Sequence, residues 1–254
     1  MRHFAVLLLL LGCTPDPAVV RMPSPPPTLE PPPPPRLSKR VRVIVALCDN
    51  ANQGIVPVPA ALGNGQNPAT NLYWGAAYGV KMFFRRSSAW TSEVGSKPAD
   101  PAILEQILFR SREFPVEVIA EAYDGARMAT AIERFFREAA EGDSDLVCFV
   151  GHNGLMDRPL GPLPAPGRTR PKGAVVLACK SRDYFAEPLR RVGCPPLVTT
   201  SGFMAPEAYV LDAIVRKWAA GAEAAAMAVD AGAAYATYQR CSPAAARKLF
   251  VAAN

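Results

Sequence analysis

Histidine is almost missing from this 254-residue chain, which has two, His3 and His152. A multi-histidine metal centre is therefore excluded. Long apolar runs are also scarce. After the first dozen residues, none approaches the roughly 20 consecutive apolar residues that a membrane-spanning helix needs. The six cysteines stand at long, irregular intervals. They lack the close ligand pairs of a zinc site and the density of a disulfide-stapled scaffold. Aromatic residues make up 8% of the chain and do not interleave with basic ones. No nucleic-acid motif is present, so no nucleic-acid partner is expected. The net charge of +6 is scattered, apart from Arg36, Lys39, Arg40 and Arg42. That cluster reads as a solvated linker end, with attraction to anionic lipid as the alternative. No metal or other cofactor is expected.

The sequence opens with a short basic start, Met1-Arg2-His3, and an unbroken apolar run from Phe4 to Leu11. This run is too short to cross a bilayer and fits the apolar region of an export signal. It ends in Leu10-Leu11-Gly12-Cys13, which resembles the bacterial lipobox. The resemblance implies that residues 1–12 are a signal peptide and that Cys13 is diacylated as the mature N-terminus. Acyl chains then hold the protein on a membrane without a spanning helix. The location implied is the bacterial cell envelope, at the outer membrane or its periplasmic face. An ordinary secretory signal with an incidental cysteine is the alternative. Residues 13–37 carry Pro25-Pro26-Pro27 and the run Pro31 to Pro35. Such a stretch forms neither helix nor sheet and acts as an extended, semi-rigid tether.

Residues 38–254 are long enough for one sizeable domain. Removal of the signal leaves His152 as the sole histidine for acid–base chemistry. Removal of Cys13 leaves five thiols, so at least one is unpaired. Val41 to Leu47, Val116 to Ala120, Leu146 to Val150, Ala174 to Ala178 and Pro196 to Thr200 read as five short buried strands. Helices are expected between them: Asn71 to Phe84, a segment capped by Asp100-Pro101 with Ile103, Leu104, Ile107 and Leu108 on one face, and an amphipathic run from Met128 to Ala139 ended by Gly142. Ser181 to Arg191 and the stretch after Pro206 complete the set, with a last helix from Ser242-Pro243. Residues 85–99 read as loop. This alternation predicts an α/β fold of three layers, a mostly parallel sheet with helices on both faces. Sites in such sheets form at the carboxyl ends of the strands. His152 and Cys179 stand at two such ends, on consecutive strands. Neighbouring strands lie about 5 Å apart, close enough for the two side chains to meet.

The first of these strands is Leu146-Val147-Cys148-Phe149-Val150-Gly151-His152-Asn153-Gly154, and the second is Ala174-Val175-Val176-Leu177-Ala178-Cys179. This pair, with Tyr123-Asp124-Gly125 and Asp145 leading in, resembles the caspase-like clan of cysteine peptidases, which includes caspases, legumain, clostripain and gingipains. The resemblance implies a caspase-like fold and a membrane-tethered peptidase acting on peptide or protein substrates. It gives Cys179 the role of nucleophile and His152 that of general acid. The oxyanion-binding N–H groups map to Cys179 and Gly154, with Asn153 as substitute because this chain has His-Asn-Gly rather than His-Gly. The end of the first strand, Asp49-Asn50, contributes to the substrate pocket in that clan. An acid there would suit lysine or arginine; an acid capping its own turn is the alternative. Ser201 and Gly202 are further candidates to line the cleft. Asn71-Leu72-Tyr73-Trp74-Gly75 is distinctive but suggests no chemical role, and Tyr73 and Trp74 read as core. Two other functions fit: a non-catalytic binding or scaffolding lipoprotein on the same fold, and another thiol-dependent hydrolase or acyltransferase.

Overall fold

The computed structural model describes residues 38–95, 98–167 and 172–252. The expected signal peptide, Cys13 and the tether lie outside the described residues. The strands are β1 (Lys39–Ala46), β2 (Trp90–Val94), β3 (Ile103–Ser111), β4 (Val116–Tyr123), β5 (Leu146–Val150), β6 (Gly173–Leu177), β7 (Pro196–Thr200) and β8 (Phe250–Ala252). The helices are α1 (Val80–Arg86), α2 (Met128–Glu141), α3 (Ser181–Arg191), α4 (Ala208–Ala219), α5 (Ala224–Gln239) and α6 (Pro243–Leu249). All eight strands form one sheet in the order β2-β3-β4-β1-β5-β6-β7-β8. The five central strands, β4 to β7 in that order, are parallel. The edges are antiparallel: β2 and β3 on one side, β8 on the other.

Strand alternation sorts the core into two layers. Val41, Val43, Val45, Leu146, Cys148 and Val150 face α1, α4 and α5. Ile44, Ala46, Val147, Phe149, Ala174 and Val176 face α2 and α3. Burial on both faces is why the central strands read as unbroken apolar runs. The chain is thus α/β, with a mostly parallel sheet and helices on both faces, as expected. No helix among the described residues is long and apolar enough to cross a membrane.

The antiparallel edge corrects the sequence reading. Ile103 to Leu108, expected as a helix after Asp100-Pro101, is the β3 strand. The expected loop at residues 85–99 contains β2. The apolar pairs at 103–104 and 107–108 fit a helical period, but pairing with β4 decides the matter. As a strand, this segment turns Ile107 and Phe109 into the core beside Phe84 and Trp90, and leaves Leu104 exposed. Residues 71–79 are a series of turns, so the expected helix begins only at Val80. The C-terminal residues expected as helix end in β8.

Candidate active site

β5 and β6 are adjacent and parallel, and their last paired residues are Val150 and Leu177. Two residues beyond each stand His152 and Cys179. The strand register therefore brings the two loops that carry them out side by side. Gly151 turns the chain at φ +148°, and a Cβ there would come within 2.7 Å of the Ala46 carbonyl oxygen. Only glycine fits this position without strain. Cys179 lies in the turn between β6 and α3. The next residue, Lys180, has left-handed backbone (φ 49°, ψ 32°), a conformation that costs a non-glycine residue about 1–3 kcal/mol. The surroundings hold it: the Lys180 N–H donates to the Gly202 carbonyl at 2.8 Å, and Ser181 Oγ donates to the Val176 carbonyl at 2.8 Å. Thr200 Oγ1 donates to the Ala178 carbonyl. Cys179 thus stands directly before Lys180, the N-cap of α3, near the helix end whose dipole favours an anion.

The buried His152 ring meets a partner that the sequence did not reveal. Its Nε2 lies 2.7 Å from Asp157 Oδ2, and the Gly54 N–H donates to the same oxygen at 3.1 Å. A carboxylate only accepts, so Nε2 is the nitrogen that donates in this pair. A short 3-10 turn, Gly154–Met156, brings Asp157 back to the histidine. Asn153 starts that turn, its Oδ1 accepting from the Leu155 N–H at 3.1 Å. Its Nδ2 donates to the Cys179 carbonyl at 2.7 Å, which ties the histidine loop to the cysteine loop. The Cys179 sulfur accepts a hydrogen bond from the Met204 N–H at 3.4 Å. His152 and Cys179 open into one cleft of about 240 Å³, whose walls include Tyr73, Met156, Phe203 and Met204.

The other expected site residues divide. The Gly154 N–H donates to the His152 carbonyl at 3.1 Å, so it is engaged and does not serve an oxyanion. Both ends of the Asn153 amide are likewise engaged. The backbone N–H groups of Cys179 and Asn153 have no acceptor among the described residues. Asp49 and Asn50 do not line the cleft. Asp49 accepts from the Ala51 and Asn52 N–H groups and from the Asn52 and Gln66 side-chain amides. Asn50 bonds the Val58 backbone in both directions. Ser201 Oγ donates to the Lys248 carbonyl at 2.8 Å, and the Gly202 carbonyl serves Lys180. The cleft is lined instead by Gly54, which follows the Asp49 turn, and by Phe203 and Met204. Tyr73, read as core, is a buried wall of the cleft. Asn71 explains its placement: this fully buried amide accepts from the Cys48 and Tyr73 N–H groups and donates to the Cys48 carbonyl.

The thiols are equally distinct. All five described cysteines are free. Burial pushes the Cys48 thiol up to about 11, against an opposing hydrogen bond from Tyr73, and burial raises Cys148 and Cys194 as well. Cys179 is partly exposed and Cys241 is exposed.

Burial alone would push the Asp49 carboxyl up, but its four donors outweigh burial and hold it below the ordinary carboxylate range. A depressed folded value means stability that is present above about pH 4 and lost as the pH falls below it. Asp49→Asn places an NH₂ against two amide donors. It is expected to cost about 1–3 kcal/mol at neutral pH and to flatten the acid limb of a urea-midpoint-versus-pH curve. An unchanged curve would show that the turn does not depend on the charge.

No protein-family model, no curated protein and no solved structure matches this chain.

Proposed function

We propose that this protein is a cysteine peptidase of caspase-like fold, with Cys179 as nucleophile, His152 as general acid–base and Asp157 as the group that orients the histidine. The observation that carries this reading is the single cleft onto which Cys179 and a carboxylate-held His152 both open. Nucleophile, base and orienting acid are the three parts that activated-thiol catalysis needs. Cys179 sulfur attacks the substrate carbonyl carbon, and the carbonyl electron pair moves to oxygen. The Cys179 and Asn153 N–H groups are the donors left to receive that oxyanion. Collapse breaks the C–N bond, His152 protonates the departing amine, and a thioester remains. Water, giving a proton to His152, then releases the acid and the thiol. The lipobox-like start and the proline tether complete the proposal, placing the enzyme on a lipid anchor in the bacterial envelope.

The test uses two thiols of the same chain. Trace iodoacetamide is added at neutral pH and the modified residue is mapped by mass spectrometry. Exposed Cys241 serves as the internal reference. Cys179 is expected to react faster than Cys241 despite being less exposed, and His152→Ala is expected to reverse that order. If Cys179 trails Cys241 in the wild type, the peptidase reading fails and a non-catalytic binding protein takes its place.

A further inference from the structure

Resting on that reading, we infer that the site selects an apolar side chain on the acyl side of the scissile bond, rather than the basic one that an acid at the end of β1 would suit. The nearest acid on that loop, Asp49, is sealed in its own turn by four donors and does not border the cleft. The cleft wall is instead Ile55, Val56, Tyr73, Met156, Phe203 and Met204, and among the described residues it carries no carboxylate. The histidine's partner, Asp157, already receives the His152 ring and the Gly54 N–H.

Two features make this wall read as a binding surface rather than core. Phe203 is 69% exposed and Val56 87% exposed, both at the mouth of the cleft. Large apolar side chains left in water beside a nucleophile gain by covering one another with a substrate group. The Lys180 ammonium sits 4.9 Å from the centre of the Phe203 ring, so the lip carries a positive charge that opposes lysine or arginine. Size argues the same way. At about 240 Å³ the cleft is smaller than the roughly 300–1,000 Å³ of sites that enclose a whole ligand. It suits one leucine-, methionine- or phenylalanine-sized side chain with its adjoining carbonyl.

The experiment compares acetyl-dipeptidyl chloromethyl ketones that differ only in the residue beside the ketone: Leu, Phe, Arg or Asp. The Cys179 thiolate displaces chloride and forms a carbon–sulfur bond, and the rate is read by mass spectrometry on the full-length protein. The Leu and Phe reagents are expected to label Cys179 about 10- to 100-fold faster than the Arg reagent, the scale of discrimination an apolar pocket gives. Phe203→Asp removes the apolar lip and adds an acid, and at 69% exposure it leaves the core intact. It is expected to shift the Leu/Arg ratio at least tenfold towards Arg. Arg or Asp reagents that outpace Leu, with Cys179 still activated towards iodoacetamide, would overturn the apolar preference and leave the peptidase reading standing. Loss of activation towards iodoacetamide itself would overturn both.

Discussion

His152→Ala should lower turnover of a leucine-containing peptide amide by roughly 10⁴-fold, the scale at which loss of a member of a nucleophile–base–acid array is felt. The cause is double. Without the imidazole nothing takes the Cys179 proton, and nothing returns a proton to the departing amine. Asp157 grades the effect. In Asp157→Asn, an amide oxygen can still face the His152 Nε2–H and the Gly54 N–H, which converge on one carboxylate oxygen. The ring stays oriented, but the charge that steadies the imidazolium is gone. Asp157→Ala removes both the orientation and the charge. The expected order of rates is wild type, then Asn, then Ala, with Ala down about 10²–10⁴-fold. A residue that only held the loop would lose stability along with rate. The measurement therefore pairs kcat/KM with a urea midpoint, and a rate loss fully tracked by unfolding would reduce Asp157 to a structural part.

Phe185→Ala should destabilise the domain by about 3–5 kcal/mol. Phe185 is fully buried at the junction of α2, α3 and β5. Its ring stacks on Phe136 at 5.9 Å and 10°, and meets Phe135 at 6.0 Å and Phe149 at 5.7 Å. Truncation leaves a cavity that three other rings cannot close without leaving their rotamers. At about 2–4 °C per kcal/mol for a domain of this size, Tm should fall by roughly 6–20 °C. Phe203→Ala, at the exposed lip, should leave Tm nearly unchanged, and calorimetry on the pair checks both. A small shift for Phe185 would mean that α3 can settle onto the sheet without it.

The central sheet and the placement of His152 and Cys179 after neighbouring strands were legible for one reason: β5 and β6 are buried on both faces. Their apolar runs are therefore unbroken, and the first polar residue after each is conspicuous. The antiparallel edge was not legible, because Ile103 to Leu108 satisfies a helical period and only the long-range pairing with β4 overrides it. Asp157 was hidden for a related reason. Its role comes from a turn that Asn153 initiates with its side chain, within a segment whose Pro and Gly content suggested only loop. The Asp49 turn was visible as one of two alternatives. Three of its four donors are local, from Ala51 and Asn52, but the fourth is Gln66, seventeen residues further on, and no local pattern announces that hydrogen bond.

The position of β1 in the sheet has a kinetic consequence. Among the described strands it is made first, yet it lies in the interior, between β4 and β5. Lys39 pairs with Val116, so its nearest partner is 77 residues away (116 − 39). At roughly 5–20 residues per second, the ribosome needs about 4–15 s to deliver that partner. Until then β1 has no ladder to join, and loop closure makes such distant pairings slow. Folding must start elsewhere, in the β3–β4 hairpin or where α2 meets β5. The cleft comes later still, because its far wall, Phe203 and Met204, follows β7. Cys179 is made only 24 residues before Phe203 (203 − 179), so the strand end that carries it and the wall it faces leave the ribosome almost together, long after β1.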